Sequence, residues 1–175
     1  MKKQNKLFKL TVASMLLALA FVLPYLTANN RELGNALCLM HIPVLLCGFF
    51  CGGPWGLVVG FIAPLLRFFI IGAPPMPIAA TMAFELAAYG LMSGILYRAF
   101  PKKKIFIYCS LIISMIAGRL VLGVANFVVS GADYGLEAFW TGAVVNAIPG
   151  IILQIVLIPV VVMALEKVKF INKNK

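Results

Sequence analysis

The chain alternates long apolar runs with short polar interruptions. The runs lie approximately at residues 8–28, 37–51, 55–71, 78–100, 105–129 and 139–166. A helix needs about 20 residues to cross a hydrocarbon core about 30 Å thick, and most of the runs have that length. Barrel strands would be shorter and would alternate polar with apolar positions. The pattern predicts an all-α membrane protein in which residues 1–175 form a single integral membrane domain, a six-transmembrane-helix bundle.

The second run is the shortest. It ends at Gly52, Gly53 and Pro54, a break that carries no charge. A run of this length fits a tilted, broken or partly interfacial helix as well as a complete span. The completeness of the second helix is therefore left open.

Positive charge is concentrated in three clusters. Twelve of the fifteen Lys and Arg residues lie within residues 2–9, 98–104 and 167–175. Basic residues beside membrane segments stay cytoplasmic, so we expect all three clusters on one side and both termini in the cytoplasm. Four runs separate the first two clusters and two separate the last two, and both numbers are even, as this rule requires. A signal peptide over the first run would spoil that count.

Composition narrows the function classes. Hydrophobic residues make up 63% and charged residues 11% of the chain, against about 45–50% and about 25% in soluble domains. The net charge of +10 lies at the ends of membrane segments, where anionic lipid is the natural counter-charge, so it does not indicate nucleic-acid binding. Without a catalytic motif or a phosphate-binding loop, the sequence predicts neither an enzyme nor a bound cofactor.

Three ionisable side chains fall inside predicted helices. The predicted outer loops are residues 27–41, 72–77 and 130–139. Arg67 and Glu85 lie about 7 and 12 Å from the helix ends at loop 72–77, and Arg119 lies about 15 Å from the helix end at loop 130–139. Buried charges in a membrane need partners, so the three could share the outer half of the bundle. One arginine would pair with Glu85, and the other would meet an anionic ligand that enters from outside. The alternative is a purely structural Arg–Glu pair.

Other polar residues extend this predicted cavity. His41 comes at the start of the second helix, and amides lie near the outer ends of helices five and six, with Gln154 deeper. They fit ligand-orienting groups, or else a helix cap and hydrogen bonds between helices. The predicted substrate-binding residues are His41, Arg67, Glu85, Tyr89, Arg119, Asn126 and Asn146.

Cysteine spacing raises a metal alternative. Cys47 and Cys51 are four residues apart on one helix face and could be imagined as ligands together with His41. No fourth ligand and no paired CxxC accompanies them, so packing is the favoured interpretation and no metal site is predicted.

Small residues recur at the spacing of close helix contacts: Ser14 with Ala18, Gly56 with Gly60, and Gly90 with Gly94. Such pairs let two helix backbones approach. They are typical of packing inside one bundle, but the pair on the first helix could also face another membrane protein.

Six segments together resemble the substrate-binding (S) components of energy-coupling-factor (ECF) vitamin transporters. They are Met40–Gly48, Gly53–Leu57, Ala63–Arg67, Gly72–Pro77, Met82–Gly90 and Asn146–Gly150. The resemblance covers most of residues 8–165 and implies a cell-membrane subunit that captures a water-soluble vitamin or precursor from outside. It also implies partners, namely a transmembrane coupling subunit and two ATP-binding subunits.

The resemblance also concerns the substrate and the docking face. The His-Ile-Pro and Pro-Pro-Met segments are most similar to a pantothenate-type subgroup, with riboflavin, pyridoxine and thiamine-precursor binders as near relatives. The family's Ala-xxx-Ala docking pattern on the first helix corresponds here to Ser14-xxx-Ala18.

Two rival function classes are a stand-alone secondary transporter or facilitator, and a membrane-embedded enzyme or assembly factor that uses Glu85 and His41.

Overall fold

The structure is a computed structural model that describes residues 2–27, 37–101, 103–130, 141 and 145–167. These residues contain six α-helices, and 3-10 turns at Leu23–Thr27 and Val145–Ala147 follow the first helix and precede the last. The helices are α1 Lys2–Val22, α2 His41–Cys51, α3 Gly53–Ile71, α4 Met76–Ala99, α5 Lys104–Ser130 and α6 Ile148–Lys167. All except α2 are long and apolar enough to cross a membrane, which confirms the predicted all-helical fold of six helices.

The short helix α2 is a core helix. At 11 residues it spans only about 16 Å, and ten of its residues are buried. It begins at His41 rather than 37, because Cys38–Met40 form a turn in which Cys38 has φ 47° and accepts a hydrogen bond from His41 N at 3.0 Å. The segment that the sequence left open is thus a continuous helix enclosed by the others.

The sixth helix begins at Ile148, with Pro149 in its first turn, where a missing N–H costs little. The start predicted at 139 and most of the predicted outer loops 27–41 and 130–139 lie outside the described residues.

Helices α3 and α4 meet along glycine-lined faces. A Cβ on Gly56 would collide with the backbone of Gly90, and one on Gly60 with the backbone of Leu86. A Cβ on Gly94 would collide with the backbone at Gly53. These pairs are therefore contacts inside the bundle, as their spacing indicated.

One end of the bundle brings together Lys9 and Arg98, which belong to two of the three basic clusters, and Glu166 near the end of α6. The Cys51 thiol lies 3.6 Å from the Lys9 carbonyl, and Arg98 Nη2 donates to the Cys51 carbonyl at 3.0 Å. The Tyr97 hydroxyl contacts the Glu166 carboxylate, next to the basic C-terminal tail. We call this region, defined by Lys9, Cys51, Tyr97, Arg98 and Glu166, the basic end. That it faces the cytoplasm remains a prediction from the positive-inside rule.

Candidate functional site

Toward the opposite end of the bundle, a buried carboxylate is the centre of a group of polar side chains. Glu85 on α4 is 1% exposed. Its Oε1 lies 2.9 Å from Arg119 Nη1 on α5 and 3.5 Å from His41 Nε2 at the first residue of α2. Three helices thus direct ionisable groups at one point, and the arginine that pairs with Glu85 is Arg119.

Tyr89 lies one helical turn after Glu85, on the same face of α4. It is fully buried, it lies near enough to Glu85 for the two side chains to interact, and its ring meets the His41 ring edge-on at 5.3 Å. A Cβ on Gly118 would lie 2.8 Å from the Tyr89 ring, so glycine at this position lets α5 come close. That close approach brings the next residue, Arg119, to Glu85.

Two residues outside the predicted set complete this group. Arg119 Nη2 lies 3.7 Å from the Cys38 thiol, and Gln154 Nε2 on α6 donates to the Cys38 carbonyl at 3.5 Å. Gln154 could have been included from the sequence, because it is the only polar side chain between 148 and 165. Cys38 carried no such signal. We call the whole set the polar cluster: Cys38, His41, Glu85, Tyr89, Arg119 and Gln154.

Several atoms of the polar cluster are buried without a hydrogen-bond partner among the described residues: His41 Nδ1 and Nε2, Glu85 Oε1 and Arg119 Nε. The Arg119–Glu85 contact is close enough for an ion pair but is not aligned as a hydrogen bond to Oε1. Each buried, unsatisfied polar group costs about 1–3 kcal/mol. A polar molecule that offers both donors and acceptors would satisfy these atoms.

The charges of Glu85 and Arg119 cancel, and His41 adds a positive charge only when it is protonated. The cluster therefore holds a balanced ion pair rather than an excess of negative charge. Its chemistry suits hydrogen-bonded recognition of a small polar ligand.

Arg67 lies apart from this ion pair. Its guanidinium lies over the Tyr25 ring at 5.9 Å from the centroid, and its Nε has no hydrogen-bond partner among the described residues. Arg67 is four residues from the end of α3, whereas Glu85 is nine residues into α4. These positions correspond to depths of about 6 Å and about 14 Å, so Arg67 lies nearer the end of the bundle.

The two predicted amides lie on different elements of the bundle. Asn126 is half-buried on α5, seven residues or about 10 Å beyond Arg119. Asn146 belongs to the 3-10 turn before α6, and its side chain lies outside the described part.

Ser14 and Ala18 lie on the outward face of α1. Both are exposed, and the Ser14 hydroxyl donates to the Leu10 carbonyl within the same helix. The face of α1 that packs into the bundle carries Ala13 and Ala20, which are buried. The small-residue pair is thus not used for packing within the described bundle.

The cysteines of α2 do not form a metal site with His41. Among the described residues, no group of three or more His, Cys, Asp or Glu side chains could hold a metal ion. Cys51 lies at the opposite end of α2 from His41, and Cys47 is buried beside α1 and α3.

Comparison with known proteins places most of the chain in one family. Residues 8–162 match the family model described as "ECF transporter, substrate-specific component". No curated protein and no solved structure gives a significant match.

Proposed function

The chain belongs to the substrate-specific (S) components of ECF transporters, and we propose that its polar cluster captures a water-soluble vitamin or vitamin precursor from outside. An S component is a transport binding subunit of the cell membrane, not an enzyme, and it works with an ECF module. In this proposal, a coupling subunit and two ATP-binding subunits then drive delivery of the substrate inward.

The observation that carries the proposal is the set of buried atoms on His41, Glu85 and Arg119 that make no hydrogen bond among the described residues, although Glu85 is in ion-pair contact with the other two. Buried polar atoms in proteins almost always have partners, so each exception calls for an explanation, and a functional role is one. In a subunit whose task is to bind a small substrate, the substrate is the natural partner. Asn126 and Asn146 would flank the site as orienting amides.

Pantothenate is the best candidate substrate. It carries an amide and hydroxyl groups, which suit the donors and acceptors of the polar cluster. It also carries a carboxylate, which needs a positive charge. Arg119 is already balanced by Glu85, so we assign the carboxylate to Arg67, which makes no ion pair with a described carboxylate.

Calorimetric titration of the purified protein with pantothenate, riboflavin, pyridoxine and thiamine precursors would test this assignment. We expect pantothenate to bind, and Arg67→Met to weaken its binding about a hundredfold, because a charge-assisted hydrogen bond to the carboxylate contributes about 1.5–3 kcal/mol. Mass spectrometry of molecules released from the denatured protein gives an independent identification. Unchanged pantothenate affinity in Arg67→Met would contradict the assignment of the carboxylate.

We assign docking of the coupling subunit to the outward face of α1. Ser14 and Ala18 are small and exposed, and small residues allow close approach of a second helix. Leu10 and Met15, also exposed, extend an apolar surface around them.

The docking assignment predicts that Ala18→Trp abolishes ATP-dependent uptake while substrate binding in detergent stays unchanged. The bulky ring would block helix approach, and the polar cluster is formed by other helices. Leu19→Trp, which replaces a large exposed side chain of the same helix outside this surface by another, is the matched control and should change neither uptake nor binding. Equal loss of binding and uptake in Ala18→Trp would show instead that this face supports the fold.

A further inference from the structure

We propose that Arg98, at the basic end, is a positioning residue for the polar cluster. By holding the last turn of α2, it fixes the position of His41 against Glu85 at the other end of that helix. This inference rests on the proposed function only in treating the polar cluster as the substrate site.

The contact at the basic end joins a cation to a helix C-terminus. Arg98 Nη2 donates to the Cys51 carbonyl at 3.0 Å, and Cys51 is the last residue of α2. The final carbonyls of a helix have no partner within it and carry partial negative charge, so a guanidinium is well suited to this position. Arg98 makes no ion pair with any described carboxylate, so the Cys51 carbonyl is its hydrogen-bond acceptor among the described residues.

The turn after α2, at Gly52, packs against the Arg98 guanidinium. Gly52 has φ 98°, a conformation that favours glycine. A Cβ at Gly52 would also lie 2.7 Å from Arg98 Nη1, and closer to other guanidinium atoms. The backbone of the turn and the side chain of Arg98 therefore occupy complementary space.

Between its two ends, α2 is registered against α4. Gly48 packs on Gly90 and Ser93, and the Ser93 hydroxyl lies 3.4 Å from the Leu45 carbonyl. Close-packed interiors transmit displacement because they hold few voids to absorb it. A shift of Cys51 therefore moves the helix as a unit.

His41 is the first residue of α2 and lies ten residues, or about 15 Å, from Cys51 at the other end of the helix. Its Nε2 is already 3.5 Å from Glu85 Oε1, near the limit of direct polar contact. An axial shift of about 1 Å would separate the two groups. The position of α2, and hence the contact at Arg98, therefore controls the geometry of the polar cluster.

The test uses the fact that His41 is the only histidine of the chain. Diethyl pyrocarbonate modifies the imidazole, and the absorbance of the carbethoxylated product measures the rate. In the purified full-length protein without a histidine tag, this absorbance reports on His41 alone and needs no substrate. We expect Arg98→Met to raise the modification rate at least about tenfold. The buried imidazole reacts only when the structure around it opens locally, and losing a hydrogen bond from a charged group makes that opening more frequent by at least this factor. Gly52→Ala, which disturbs the same contact from the other partner, should raise the rate as well.

Two control variants separate positioning from general loosening of the basic end. Lys103→Met removes a nearby exposed cation. Tyr97→Phe removes the hydroxyl that contacts Glu166 and keeps the ring that packs on Phe49 in the last turn of α2. We expect both to leave the His41 rate unchanged.

The inference is overturned if Arg98→Met leaves the rate unchanged, or if Tyr97→Phe raises it equally. Titration with pantothenate adds a second readout. Arg98→Met should weaken binding when His41 is present, but it should have no further effect in a protein that already carries His41→Ala. If wild-type protein does not bind pantothenate, the substrate assignment fails, but the His41 rate still decides the inference.

Discussion

The polar cluster and the basic end each contain one glutamate, one tyrosine and one arginine, yet the two sets are arranged differently. At the basic end, Tyr97 contacts Glu166 and Arg98 donates to a main-chain carbonyl. None of these three residues has a buried side-chain atom without a partner among the described residues.

In the polar cluster the same residue types are deeper and less completely satisfied. Glu85 is 1% exposed, and both Glu85 and Arg119 keep a buried atom without a hydrogen bond. A carboxylate at the surface can complete its hydrogen bonds with water, whereas a buried one depends on the protein or a ligand. Burial together with incomplete hydrogen bonding, rather than residue type, therefore distinguishes the proposed substrate site from the contacts of Tyr97, Arg98 and Glu166 at the basic end.

The largest effect that would test this contrast concerns the buried ion pair. Glu85→Leu leaves the Arg119 cation buried without its partner, and we expect it to destabilise the fold by about 3–5 kcal/mol. Glu166→Leu at the basic end should cost far less, because Glu166 is half-exposed and its neighbourhood reaches water. Thermal unfolding of the two variants in detergent gives the comparison.

The double variant Glu85→Leu with Arg119→Met is the control for that experiment. Replacing a whole buried ion pair by apolar side chains is often neutral or stabilising, so stability should recover while substrate binding stays lost. If the double variant were as unstable as Glu85→Leu alone, the destabilisation would come from packing and not from the unpaired charge.

A smaller effect is expected from the histidine. His41→Ala removes one donor–acceptor group from the proposed substrate site, and we expect it to weaken pantothenate binding about tenfold to a hundredfold. Titration of His41→Ala beside Glu166→Gln, which changes an acidic group at the basic end, measures the difference. A loss of similar size in both variants would remove the functional distinction between the two ends.

The sequence predicted the fold well because hydropathy reports directly on membrane-spanning helices. It also predicted that one arginine pairs with Glu85, but not which one. The estimated depths, about 12 Å for Glu85, about 15 Å for Arg119 and about 7 Å for Arg67, placed all three in the outer half of the bundle and left both arginines open as partners. Depth alone does not report which face of each helix turns inward, so the pairing needed the structure.

Other features depended on tertiary contacts that leave little signal in a sequence. Cys38 joins the polar cluster through a turn with positive φ that the chain forms just before α2. Glu166 precedes the lysines of the C-terminal tail and is typical of a solvated helix end, although it contacts Tyr97 on α4. Neither contact follows from periodicity or spacing.

The smallest predicted effect concerns the basic end itself. Tyr97→Phe keeps the aromatic ring, which packs edge-on against Phe49 at 5.1 Å, and removes only the hydroxyl. Because Glu166 is half-exposed and can exchange this contact for water, we expect a loss of about 1 kcal/mol in unfolding free energy. Pantothenate affinity should not change, since the contact joins α4 to α6 at the basic end, away from the polar cluster. An affinity loss in Tyr97→Phe as large as in His41→Ala would mean that the two ends act as one site.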